Sequence, residues 1–262
     1  MGFLDALGLG GGTKEQKLKA KLMQKYGPPE NRQKAIEQLA ALGTDEAIRI
    51  LLLRLTMRIE PGITDDEEKE RVLELIAEAG PQAVPLLKAF LFERDEIAFA
   101  YRALSELVDE PELVAAVCDV LDKAAKEYAR DPEKRIQLMR HLREHKHERV
   151  TPTVLPFLED LAYDVKIAAL EAIASQATAP QPGAAQSGAP QSGAPQTSDE
   201  RAREPLINAL VAAKEESNVR VQQAAAAALE ATGFDVKGFK PKVEAALPPG
   251  YALDRDGHVK KR

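Results

Sequence analysis

The sequence predicts an all-α protein: an α-solenoid of about six antiparallel helix pairs, closed by a small C-terminal β-hairpin. Three observations carry this expectation. Glycine-ended helices recur, since EQLAALG (Glu37–Gly43) and ELIAEAG (Glu74–Gly80) end 37 residues apart, and aligning them pairs Leu39 with Ile76, Ala47 with Val84, Ile50 with Leu87 and Leu53 with Phe90. YDVKIAALEAIASQ (Tyr163–Gln176) matches SNVRVQQAAAAALEATG (Ser217–Gly233) at an offset of 56, which falls to 34 without the 22-residue tract at 177–198. Finally, 44% of the 262 residues are apolar but only 5% are aromatic and Trp is absent, so the core is one of Leu, Ile, Val and Ala. A spacing of about 33 residues per pair lies within the range of helical solenoids.

Each element follows from local chemistry. Residues 1–29 hold a short apolar peptide (Phe3, Leu4, Leu7), a glycine linker and a lead-in helix. The array occupies 30–247. Its first helix carries Ala35, Ile36, Leu39 and Leu42 on one face and stops at Gly43, after which Thr44 or Asp45 caps TDEAIRILLLRL. Thr64-Asp65-Asp66-Glu67 reads as a capping box, and Pro81 suits the first turn of PQAVPLLKAFL. Glu96–Val108 with Pro111–Tyr128, and Pro132–His145 with Pro152–Leu161, form the next two pairs. Asp131-Pro132 and Thr151-Pro152 each read as an N-cap followed by a first-turn proline.

The tract 177–198 repeats QSGAP in tandem, and its Pro/Gly/Ser/Gln composition cannot bury a core. Loop-closure entropy rises only logarithmically with length, so the tract is expected to loop out of the fifth pair as a disordered insertion. The sixth pair opens at Asn218, runs through five alanines, Ala224–Ala228, and stops at Gly233. Small residues let helix backbones approach closely, and alanine has the best helix propensity. In 248–262, Tyr251, Leu253 and Val259 flank the turn signal Asp256-Gly257.

These residues resemble the HEAT-repeat (armadillo-like) family of α-solenoids, most closely in DVKIAALEAIA (Asp164–Ala174), VRVQQAAAAALEATG (Val219–Gly233) and the glycine-ended helices. The resemblance implies that second helices line a concave face that holds another macromolecule. The function expected from it is a non-enzymatic scaffold or adaptor that binds another protein along the groove. Arg49, Arg54, Lys88, Asp119, Lys123 and Lys214 are expected to contribute there, because they lie off the apolar stripe.

Composition narrows the other classes. A formal charge of −6 argues against nucleic acid as the main ligand. One cysteine, Cys118, forms no intrachain disulfide and fits a reducing, cytoplasmic setting. No stretch reads as a membrane span or as a signal peptide, although the N-terminal apolar peptide suits peripheral docking.

The stretch HLREHKHERV (His141–Val150) is the most suggestive locally. His141 and His145 share a helical face, which is metal-ligand spacing, but a solvated helix end accounts for them better, since two imidazoles without a further convergent ligand bind metal weakly. A HEAT-like enzyme, deoxyhypusine hydroxylase, holds iron through several His-Glu pairs, and here only His147-Glu148 has that order. The chain is therefore expected not to be that enzyme, and no metal, cofactor or catalytic residue is expected. Arg140, His141, Arg143, His145 and Lys146 also make a basic patch, within 134–149, that suits an acidic partner or a phosphate backbone. Nucleic-acid binding there, or a metal-dependent HEAT-like activity, is the alternative function.

Overall fold

The computed structural model describes residues 13–127, 131–177 and 199–262. The expected docking peptide (Phe3, Leu4, Leu7) and all but the first residue of the QSGAP tract lie outside the described residues. The chain divides into two compact units, Met1–Asp109 and Glu110–Arg262. This boundary falls inside the third helix pair read from the sequence.

Unit 1 contains α1 (Lys14–Leu22), α2 (Pro29–Leu42), α3 (Asp45–Arg54), α4 (Gly62–Ala79), α5 (Ala83–Glu93) and α6 (Ala98–Leu107). Helices α2, α4 and α6 lie side by side as one layer, and α3 packs on α5 in the second. Their shared seam is apolar, with Ile36, Leu39, Leu51, Val72, Ile76, Leu87 and Leu91 buried. The span Gly62–Glu93 is long and apolar enough by composition to cross a membrane. Its Val72, Ile76, Leu87 and Leu91 are nevertheless buried within the protein.

Unit 2 contains α7 (Glu110–Ala124), α8 (Glu133–Leu142), α9 (Val150–Val154), α10 (Tyr163–Gln176), α11 (Arg203–Glu215), α12 (Val219–Thr232) and α13 (Lys240–Ala246). Here α8, α10 and α12 form the first layer, while α7, α9, α11 and α13 back it. The strands β1 (Tyr251–Leu253) and β2 (Val259–Lys261) pair antiparallel with Leu253 opposite Val259. Val259 is buried, β2 packs on α12, and the Lys261 amide donates to Glu230 at 2.9 Å. The fold is thus all-α with a small terminal hairpin, as the sequence predicts.

The alanine run does what its composition implies. Ala225, Ala226 and Ala228 are buried on α12, opposite α10 with its buried Ala168, Ala169 and Ala172. Asn218 caps α12 by accepting from the Val221 amide at 3.1 Å.

Two start signals are corrected. Thr64 does not cap α4: the helix begins two residues earlier, at Gly62, and Asp65 turns inward. Thr151 does not cap α9: that helix begins at Val150, and Thr151 is buried within it. Thr151 is lost as a cap to burial, whereas half-buried Thr64 already lies inside a helix begun upstream.

Gly43 ends α2 in the left-handed region at φ 60, with open space where a Cβ would sit. Gly43→Ala therefore meets no clash, and its cost is the backbone conformation alone, about 1–2 kcal/mol. Urea denaturation should show a loss of that size, whereas an unchanged midpoint would contradict the assignment.

Exposed ion pairs link successive first-layer helices. In unit 1, Arg71 forks onto Glu37 at 2.7 and 3.1 Å, and Arg102 onto Glu70 at 2.7 and 2.8 Å. In unit 2, Arg143 meets Glu171 at 2.5 Å and Arg220 meets Asp164 at 2.8 Å. Such exposed pairs fix register more than they stabilise.

Candidate binding site

The basic stretch lies in unit 2, between α7 and α10. Four acids answer its charges. Arg143 pairs with Glu171, His145 Nδ1 lies 3.0 Å from Glu110, and Arg149 bonds Asp119 and Asp122 at 2.8 and 3.1 Å. Lys146 donates to the Ala177 carbonyl at 3.1 Å, and Arg140 is exposed. Gln176 ties the loop down, accepting from the His147 amide and donating to the His145 carbonyl. His141 is half-buried, and its pKa is lowered by that burial and by His145, against an opposing pull from Glu144. Among the described residues, no three His, Cys, Asp or Glu side chains converge. Burial likewise pushes the Cys118 thiol up, with a Thr153 hydrogen bond partly opposing.

The residues expected to line a groove divide between the units. Arg49 and half-buried Lys88 belong to unit 1, and exposed Lys123 and Lys214 to unit 2, together with Asp119, which Arg149 engages. Arg54 has to be corrected, because it is 0% exposed. It belongs to a buried ionic cluster with Arg32, Asp65, Glu68 and Lys69 that joins α2, α3 and α4. Arg32 bonds Glu68 at 3.0 Å and the Gly27 carbonyl at 2.8 Å. Arg54 bonds Glu68 at 2.9 Å and Asp65 at 2.7 Å, and Lys69 closes on Asp65 at 2.7 Å. These side chains satisfy one another, so the cluster holds unit 1 together rather than facing a ligand.

A different place in unit 2 has the character of a site. A cavity of about 430 Å³ is lined by Pro132, Arg135, Pro156, Phe157, Leu161 and Ala162, with Glu127, Glu159 and Asp160 beside them. Leu161 at its rim is 87% exposed. Tyr163 and Val219 continue the apolar surface at 44% and 55% exposure, on helix starts that the Asp164–Arg220 pair holds together. Arg135 falls within the basic stretch 134–149, but it is buried.

No known protein family and no curated protein matches the chain. Among solved structures, human deoxyhypusine hydroxylase in complex with glycerol is similar at 18% identity, over 83% of this chain and 73% of that one, with a TM-score of 0.37. A designed armadillo repeat protein, YIII(Dq.V1)4CPAF in complex with the peptide (KR)4, is similar at 16% identity, over 84% of this chain and 100% of that one, with a TM-score of 0.42. The helical architecture is consistent with a HEAT/armadillo-like solenoid. The expectation of a non-enzymatic scaffold gripping its partner along the groove is corrected, because one of these structures is an enzyme and the architecture therefore carries no such role by itself.

Proposed function

We propose that the protein is a HEAT-type repeat protein whose unit 2 binds a short polypeptide segment where α8, α10 and α12 begin. The observation that carries this reading is Leu161, 87% exposed beside a cavity walled by Pro132, Pro156 and Phe157. A large aliphatic side chain in water next to a hollow of mixed apolar and charged lining is the arrangement that a partner's side chain covers. Pairing of Arg143 and Arg149 with acids leaves little field for a phosphate backbone. The full chain is to be tested on an array of short synthetic peptides. A subset should bind, and Leu161→Asp, at an exposed position, should weaken that binding roughly tenfold with the thermal midpoint unchanged. Binding indifferent to the substitution would refute the site.

A further inference from the structure

One nitrogen of the Arg135 guanidinium has no partner among the described residues. Its guanidinium donates to Asp160 Oδ2 at 2.8 Å, to the Ala124 carbonyl at 2.9 Å and to the Glu127 carbonyl, and lies 5.8 Å from the Phe157 ring centre. Nε is buried and has no acceptor among the described residues. The side chain is only 9% exposed. Buried donors are almost always met, and an unmet one in a cavity wall marks where an oxygen belongs.

The surrounding charge decides what kind of oxygen. Asp160 already balances the guanidinium, while Glu127 and Glu159 stand exposed at the same cavity. A carboxylate or phosphate ligand would meet two acids that have no ion-pair partner among the described residues. A neutral amide carbonyl would not, and a cation beside it would be attracted.

We propose that this cavity takes a polypeptide segment in three contacts: a main-chain carbonyl accepting from Arg135 Nε, an apolar side chain against Phe157, Pro156 and Leu161, and a lysine or arginine near Glu127 and Glu159. This rests on the reading that unit 2 binds polypeptide here, and adds the chemistry of the ligand.

The same array tests it, sorted into sets that share their apolar residues but carry lysine, glutamine or glutamate beside them. The lysine set should bind about fivefold tighter than the glutamate set at low salt. Glu127→Gln with Glu159→Gln, both at exposed positions, should erase that difference while leaving the glutamine set unchanged. Replacing single amides of the best peptide by esters, which are weaker acceptors, should weaken binding at one position only. If all three sets bind alike and Leu161→Asp still weakens them, polypeptide binding stands and the charge selection is overturned. A uniform ester profile overturns the Arg135 contact, and binding by none of the sets overturns both.

Discussion

Glu68→Gln is expected to destabilise unit 1 by about 3–5 kcal/mol, the cost of breaking a buried ion pair from one side. Glu68 is 2% exposed and holds two guanidinium groups, Arg32 and Arg54, on one carboxylate. Removing its charge leaves Arg32 without an ion-pair partner among the described residues and Arg54 with Asp65 alone. Since the chain forms two compact units, two unfolding transitions are expected, and only one should move. Arg32→Met combined with Glu68→Gln should cost clearly less than the sum of the single changes, because Arg32→Met removes a cation that Glu68→Gln has stranded. Strict additivity in urea denaturation would show that the two groups do not act on each other.

The same cluster gives unit 1 its acid sensitivity. Burial pushes the Asp65 carboxyl up, but hydrogen bonds from Lys69 and Arg54 outweigh it and hold the pKa below the ordinary value. A lowered folded pKa adds stability that is complete above the unfolded value of about 3.9 and lost as pH falls through the folded one. The unit 1 midpoint should thus hold down to about pH 4 and drop beneath it. A flat profile would contradict the assignment.

Ala226→Leu is expected to cost about 1–3 kcal/mol, by overpacking. Both residues are strong helix formers, so propensity does not confound the comparison. Ala226 is 0% exposed where α12 meets its neighbours, and added methylenes must push a backbone away. Ala227 is only half-buried, and Ala227→Leu should change stability by no more than about 0.5 kcal/mol. Thermal melts of the two variants compare the close approach directly. Equal effects would mean that the run is there for helix propensity alone.

The helices were legible because two local signals agree along most of the chain: an apolar stripe with period 3.6 and a capping residue at an end, Asn at a start or Gly at a stop. Asn218, Gly233 and the hairpin at Asp256-Gly257 are read correctly from such signals. The buried charges do not stand out in the sequence, and Arg54 is placed in the groove, because composition assigns Arg, Glu and Lys to the surface. Their phase held a clue. Arg135 is in step with Leu138, Met139 and Leu142, Arg32 with Ala35, Ile36 and Leu39, and Glu68 with Val72 and Leu75, each on its helix's buried face. A charge in phase with the stripe must find a partner inside, but the partners Glu68 and Asp160 lie 36 and 25 residues away in sequence. Pairing over that distance depends on how helices stack, which no single stretch reveals. The cavity escaped notice for the same reason, since its walls come from α8, the turn after α9 and the start of α10.

Helix α4 carries adjacent residues of opposite sign that look in opposite directions: Arg71 backward to Glu37 on α2, Glu70 forward to Arg102 on α6. Because α4 shows an arginine to one neighbour and a glutamate to the other, a change of sign at either, Arg71→Glu or Glu70→Arg, would set like charges across a junction between first-layer helices and loosen its register.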